Sequence, residues 1–244
     1  MNIIVCIKKV IKLDCSNNAK DYAINELDKN AIELALSIKG KLGGKVIALS
    51  MGDLDTKSIL YTALAMGVDD AILLSDVKFA GSDTLATSYI LYKAIQKIGD
   101  LDLIICGNNS SDGETGQVGP ELATRLEIPY ITNCLQAIKL EFDSGEFKRI
   151  KDDTLETIRI QFPGLITVGK QINQPRYVDL KQFITSKKLQ IKVWDGNDIS
   201  VDYNQCGIEG SPTKVISTRQ LEFNKKCEFI NENSIDELIK IIKL

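Results

Sequence analysis

The sequence predicts an α/β fold, an open, mostly parallel, doubly wound sheet. Three observations predict it. Short apolar runs alternate with amphipathic helical patterns through the first half of the chain. Those runs are apolar at nearly every position, as strands covered on both faces must be. The change of pattern near Cys134 then adds an antiparallel region and a C-terminal arm.

The elements follow in order. Asn2–Ile7 is a buried strand, and Glu26–Ile38 a helix with Ile32, Ala35 and Leu36 at helical spacing. Lys45–Ser50 is the second strand, and Thr56–Ala65 a helix with Ile59, Leu60 and Ala63 on one face. Asp70–Ser75 is the third strand. Thr84–Ile98 is a helix opened by Ser82 or Asp83, and Leu101–Cys106 is the fourth strand. The stretches LQAIKLEF and TIRIQF within 136–168 read as antiparallel strands, the first ending at the turn Asp143-Ser144-Gly145. Trp194-Asp195-Gly196-Asn197 is turn-like. Ser234–Leu244 reads as a last helix, with Ser234 and Glu237 as a capping box and Ile235, Leu238, Ile239 and Ile242 as its stripe. The division expected is a nucleotide-binding domain over 1–188 and an arm over 189–244.

Composition narrows the function. Of the 244 residues 44% are apolar and 26% charged, and the net charge is −3, without the basic excess of a nucleic-acid or membrane-surface binder. No run reaches the roughly 18 apolar residues of a membrane helix, and the start lacks signal-peptide features, so a cytoplasmic protein is expected. None of the six cysteines forms a C-x-x-C pair, which suits free thiols better than disulfides or metal. The chain has no histidine, which excludes histidine triads, histidine zinc sites and histidine bases. No catalytic residue and no metal site is expected, and any redox chemistry belongs to a bound cofactor.

The fourth strand runs into Gly107-Asn108-Asn109-Ser110-Ser111-Asp112-Gly113-Glu114-Thr115-Gly116-Gln117-Val118-Gly119-Pro120. Its four glycines allow positive φ and close approach to a ligand. Pro120 suits the first position of a helix. A strand, a glycine-rich loop and a helix N-terminus present N–H groups and a positive dipole end to an anion. The spacing is neither G-x-G-x-x-G nor G-x-x-x-x-G-K-[ST]. Without the P-loop lysine, holding a nucleotide fits better than phosphoryl transfer.

At this loop the sequence resembles the β subunit of electron-transferring flavoproteins. Gly107–Pro120 is similar to that family's Gly-x-x-x-x-Asp-Gly-Asp-Thr-x-Gln-Val-Gly-Pro segment, with Glu114 in the acidic place. VCIKKV resembles its first strand. Lys151–Thr157 with Phe162–Thr167 resembles the signature D-G-G-L-E-T…P-A-V-I-T, with Asp153 and Thr154 where the two glycines stand. Asn173-Gln174-Pro175-Arg176-Tyr177 resembles N-E-P-R-Y, with Gln174 for the acidic residue. The matches are collinear over most of residues 1–190.

The resemblance implies a heterodimer with an α subunit that holds the redox FAD. The β subunit holds a second adenine nucleotide, AMP in simple carriers and FAD in electron-bifurcating members. It places the nucleotide site at Cys6, at Asn25, Glu26, Leu27 and Asp28, at Met51, and along the loop from Gly107 to Val118. It places docking of a partner, an acyl-CoA or related dehydrogenase, on Val178, Asp179, Leu180, Lys181 and Gln182, in a loop whose leucine inserts in the partner. The arm is expected to wrap the α subunit. The loop wording leans to the bifurcating, NADH-using members and so to FAD. The readings set against this are a stand-alone nucleotide-binding regulatory domain and an ATP-pyrophosphatase-like enzyme. The latter needs an S-G-G-x-D-S loop where this chain has Lys8-Lys9-Val10-Ile11.

Overall fold

The computed structural model describes residues 1–11, 22–217 and 239. In chain order the strands are β1 (Asn2–Cys6), β2 (Lys9–Ile11), β3 (Tyr22–Ile24), β4 (Lys45–Met51), β5 (Asp70–Leu74), β6 (Leu103–Gly107), β7 (Tyr130–Leu140), β8 (Ser144–Lys151), β9 (Thr154–Gln161), β10 (Gly164–Val168) and β11 (Lys192–Trp194). The helices are α1 (Glu26–Leu42), α2 (Lys57–Met66), α3 (Thr84–Ile98), α4 (Val118–Leu126) and α5 (Leu180–Ser186). Nine strands form one sheet in the order β11-β5-β4-β1-β6-β10-β7-β8-β9, and β2 pairs with β3 as a separate antiparallel ribbon. From β11 to β7 every pairing is parallel. β7, β8 and β9 are antiparallel.

The apolar runs explain the layers. Alternate residues of each central strand enter opposite cores. Ile3, Val5, Leu103 and Ile105 meet Ile32 and Ala35 of α1 and Leu60 of α2, all buried. Ile4, Leu49 and Ile104 meet Ile90 and Ala94 of α3 and Leu122 of α4. Each such side chain contributes about 1.5–3 kcal/mol by leaving water. The chain winds from β1 outward through β4 and β5, then returns to β6 on the other side of β1. The carboxyl ends of β1 and β6 therefore flank the point where strand order reverses.

Helix ends follow local chemistry. Asp83 is the cap of α3, its carboxylate accepting from the Ala86 N–H. α4 begins at Val118, so Pro120 is its third residue and not its first. Its missing N–H costs nothing there, because first-turn donors have no intrahelical acceptor. The antiparallel region holds a strand the apolar pattern does not single out, β8, because Lys148, Arg149 and Lys151 dilute it. The connection between β7 and β8 is Glu141-Phe142-Asp143, so of the turn expected at Asp143-Ser144-Gly145 only Asp143 lies in it, and Ser144 and Gly145 open β8. β8 joins β9 through Asp152 and Asp153 alone, with φ of 47° and 62°. A two-residue loop with both residues left-handed is a type I′ turn, so the turn survives the loss of glycine.

The compact unit runs from Met1 to Lys214, past the boundary expected after residue 188, because β11 joins the sheet edge beside β5. Of the second unit, Val215–Leu244, residues 215–217 and 239 are described, and all are exposed. The helix expected at Ser234–Leu244 lies outside the described residues apart from Ile239. Cys15 and Cys227 lie outside them too, while Cys6, Cys106, Cys134 and Cys206 are free and buried. Among the described residues no helix is long and apolar enough to cross a membrane.

Candidate functional site

Because β1, β4 and β6 run parallel, their last residues, Cys6, Met51 and Gly107, come to one edge of the sheet. Cys6 and Cys106 are register partners. The contact with Cys6, and then burial, push the Cys106 thiol far above its ordinary range. Cys106 is therefore a packing residue and not a nucleophile.

The loop between β6 and α4 uses its glycines in a way the sequence does not show. Only Gly116 among them has positive φ, 63°, and the other left-handed residue is Glu114. Gly107 is needed for close packing. A Cβ there would meet Asp28 Oδ1 at 2.3 Å and the Leu27 side chain at 2.9 Å. A Cβ on Gly119 would meet Thr167 Cγ2 at 2.7 Å. Glycine thus lets the first turn of α1 and strand β10 close on the two ends of the loop. Its middle, from Ser111 to Thr115, is exposed.

Side chains from distant segments hold that loop. Thr167, next to last in β10, donates to Asn108 Oδ1 at 2.9 Å and accepts from the Asn133 N–H. Lys8, just after β1, donates to Asp112 Oδ1 at 2.8 Å and Ser110 Oγ at 3.3 Å. Asn25 donates to the Asn109 carbonyl at 2.9 Å and accepts from the Ser111 N–H at 3.3 Å. Asp28 accepts from the Lys8 N–H at 2.7 Å, the Gly107 N–H at 3.2 Å and Asn25 Nδ2 at 3.0 Å. Burial raises the Asp28 pKa to about 7 against the lowering pull of these bonds and of Lys8. Glu26 is exposed and pairs with Lys29. Lys8 and Thr167 were legible only as members of the motifs VCIKKV and FPGLIT, and nothing in their spacing marks them as loop contacts.

All the residues expected at the nucleotide site lie along this edge. Cys6, Asn25 and Asp28 are buried, Met51 and Leu27 are half-buried, Glu26 is exposed, and the remainder is the loop itself. Two further polar atoms there are buried without a hydrogen-bond partner: Ser50 Oγ, beside Met51, and Glu121 Oε2 in the first turns of α4. The other Glu121 oxygen accepts from Thr84 at the start of α3.

The segment expected to dock a partner is a short helix, α5, and not a loop. Asp179 and Gln182 are used in a reciprocal capping box, so their polar groups are spent on the helix start. Leu180 is 74% exposed, with Tyr177 and Ile184 exposed beside it, Val178 half-buried and Lys181 exposed. The N-Q-P-R-Y segment ties this region to α1. Asn173 and Asn30 exchange hydrogen bonds, and Arg176 grips Glu33.

Residues 13–199 match the electron transfer flavoprotein domain. The chain is 40% identical over 244 aligned residues to the electron transfer flavoprotein subunit beta of Thermoanaerobacterium thermosaccharolyticum, covering 96% of this chain and 93% of that one. It is 34% identical to the caffeyl-CoA reductase-Etf complex subunit CarD of Acetobacterium woodii, covering 98% and 95%. It is 36% identical to protein FixA of Azotobacter vinelandii, covering 87% and 78%.

Proposed function

The chain belongs to the electron transfer flavoprotein family, and from that premise we propose that it is the β subunit of a two-subunit carrier whose crevice beyond β1, β4 and β6 holds an adenine nucleotide. The observation that carries the proposal is the loop from Gly107 to Gln117. It starts at a parallel strand end beside the strand-order reversal and runs into the N-terminus of α4. The loop and the first N–H groups of α4 take the phosphates. Cys6 and Met51 offer apolar walls to the base, and the segment Asn25–Asp28 closes the opposite side.

An adenine nucleotide without flavin stabilises the subunit, whereas FAD supplies a second redox centre. The reading favoured is FAD in an electron-bifurcating complex. It is supported by the loop wording and by likeness to a caffeyl-CoA reductase-Etf complex subunit and to an acryloyl-CoA reductase electron transfer subunit gamma, 35% identical over 235 residues. AMP in a simple carrier is the second reading. The chain's own residues do no bond chemistry in either case. They bind, orient and exclude water around the cofactor. The arm wraps the α subunit, which carries the redox FAD, and α5 with Leu180 docks the dehydrogenase or reductase. Buried free cysteines fit a reducing cytoplasm.

The test is co-expression with an α-type partner and a count of released flavin and AMP per heterodimer. Two flavins without AMP are expected. One flavin and one AMP supports the simple carrier. A stable monomer that takes no α partner overturns the assignment in favour of a stand-alone regulatory domain.

A further inference from the structure

Asn25 and Asp28 stand at the mouth of the crevice, yet their side chains are directed into the protein. Both are buried, Asn25 to 3% exposure and Asp28 to 5%. Asn25 uses both ends of its amide. Nδ2 reaches the Asn109 carbonyl at 2.9 Å and Asp28 at 3.0 Å, and Oδ1 takes the Ser111 N–H at 3.3 Å. Asp28 uses both oxygens, taking the N–H that follows β1 and the N–H that ends β6. The four groups reached lie 20 to 86 residues away in sequence.

We propose that Asn25 and Asp28 are positioning residues that shape the glycine-rich loop from beneath and make no direct bond to the nucleotide. This deepens the nucleotide reading of the same crevice and rests on it. The physical case is one of satisfied valence. An amide oxygen and nitrogen and two carboxylate oxygens already bonded to buried donors and acceptors gain little by turning to a ligand, and turning leaves those partners unpaired. Their effect is also selective about place. Bonds to Asn109 and Ser111 fix the first half of the loop, and the bond to Gly107 fixes its root. Glu26 in the first turn of α1 offsets the positive end of that helix, so it competes less for phosphate. The anion is left to the loop and α4. At Gly107 a Cβ would overlap Asp28 and the Leu27 side chain, so this contact leaves no room for a side chain there.

The test uses the full-length chain and three probes: AMP, adenosine and inorganic pyrophosphate. Asn25→Ala removes the bonds to Asn109 and Ser111. Amides 108–114 of the nucleotide-free variant are expected to exchange about tenfold faster or more, the size of losing one or two buried hydrogen bonds. AMP and pyrophosphate affinity should fall together by a similar factor, with adenosine affinity unchanged. Asn25→Asp, which keeps the shape but sets an acceptor against the Asn109 carbonyl, should act in the same direction if the alanine variant folds poorly. Loss of AMP and adenosine affinity with unchanged pyrophosphate affinity and loop exchange marks a direct contact to base or ribose and overturns the proposal. So does a variant with no change in any readout. Failure of the unaltered chain to bind AMP or pyrophosphate refutes the nucleotide reading instead, and loop exchange alone then decides whether Asn25 shapes the loop.

Discussion

Arg176 holds Glu33 with two nitrogens, Nε at 2.7 Å and Nη2 at 2.9 Å, and its own backbone N–H reaches the same carboxylate at 3.1 Å. One carboxylate of α1 therefore anchors the start of the segment that leads into α5. Burial works to raise the Glu33 pKa, and the hydrogen bonds and charge of Arg176 outweigh it and hold the group below its ordinary value.

Arg176→Ala is expected to lower stability by about 1 kcal/mol, since the guanidinium is half exposed and solvent screens the pair. For a chain of this size that is a fall in Tm of about 2–4 °C. A folded pKa below the unfolded one adds stability above the carboxylate range and loses it as pH falls through the folded pKa. Acid unfolding followed by circular dichroism should therefore begin at a higher pH for the variant. Arg176→Lys should not restore it, because an ammonium cannot make the fork.

Asp153→Gly is expected to stabilise the protein. Asp152 and Asp153 hold φ of 47° and 62° in the hairpin turn, a region that costs a side-chain-bearing residue about 1–2 kcal/mol. Part of that gain is offset by glycine's freedom in the unfolded chain, leaving about 0.5–1 kcal/mol. Urea unfolding should show a higher midpoint at constant slope. A lower midpoint would mean that the aspartate side chain stabilises this turn.

Leu180→Ala removes the exposed apolar end of α5 without touching its capping box. Transfer to the partner dehydrogenase should slow by about tenfold at limiting partner concentration, the cost of truncating an interface anchor. Nucleotide content per heterodimer should stay the same. Loss of nucleotide from this variant would remove α5 from the docking role.

Lys8→Ala breaks an ion pair with Asp112 that is about half exposed. Stability should change by less than about 1 kcal/mol. AMP affinity, measured by calorimetry, should fall by about three- to tenfold at low salt, and the difference should narrow as salt rises, because Asp112 loses the cation that neutralises it and its carboxylate then repels an anion at the loop.

The Asp28 pKa is raised to about 7 by burial. A carboxyl with a raised folded pKa adds stability that is complete below the unfolded value and is lost as pH rises through the folded one. Asp28→Asn has no such slope. Its stability deficit against the unaltered protein should shrink by about 1 kcal/mol or more between pH 5 and pH 8, read by urea unfolding at each pH. A deficit that grows with pH would mean that the carboxylate is the form the fold prefers.

The parallel half of the fold was legible because its strands are buried on both faces. Runs such as Leu103–Cys106 have no polar face to confuse the reading. β8 was not legible, since a strand in an outlying antiparallel region with basic residues carries little apolar signal. At the site, the loop could be located from its glycines, but their uses could not. Gly107 and Gly119 are explained by Asp28 and Thr167, which lie 79 and 48 positions away, and no local pattern encodes such a contact. The helical form of the docking segment was available from Asp179 and Gln182, a start-of-helix pair three residues apart.

The bond from Thr167 to Asn108 has a kinetic side. The loop leaves β6, and its shape needs β1, α1 and β10, whose nearest contacts to it are separated by about 60 to 100 residues of chain. Such long closures are slow steps in refolding, because entropy is lost before contacts repay it. Sheet pairing of β6 with β1 and β10 must come first, and only then can the loop be drawn into place from both ends. In a refolding experiment, helix content should return before the loop amides gain protection, and the crevice should be the last part of the sheet edge to mature.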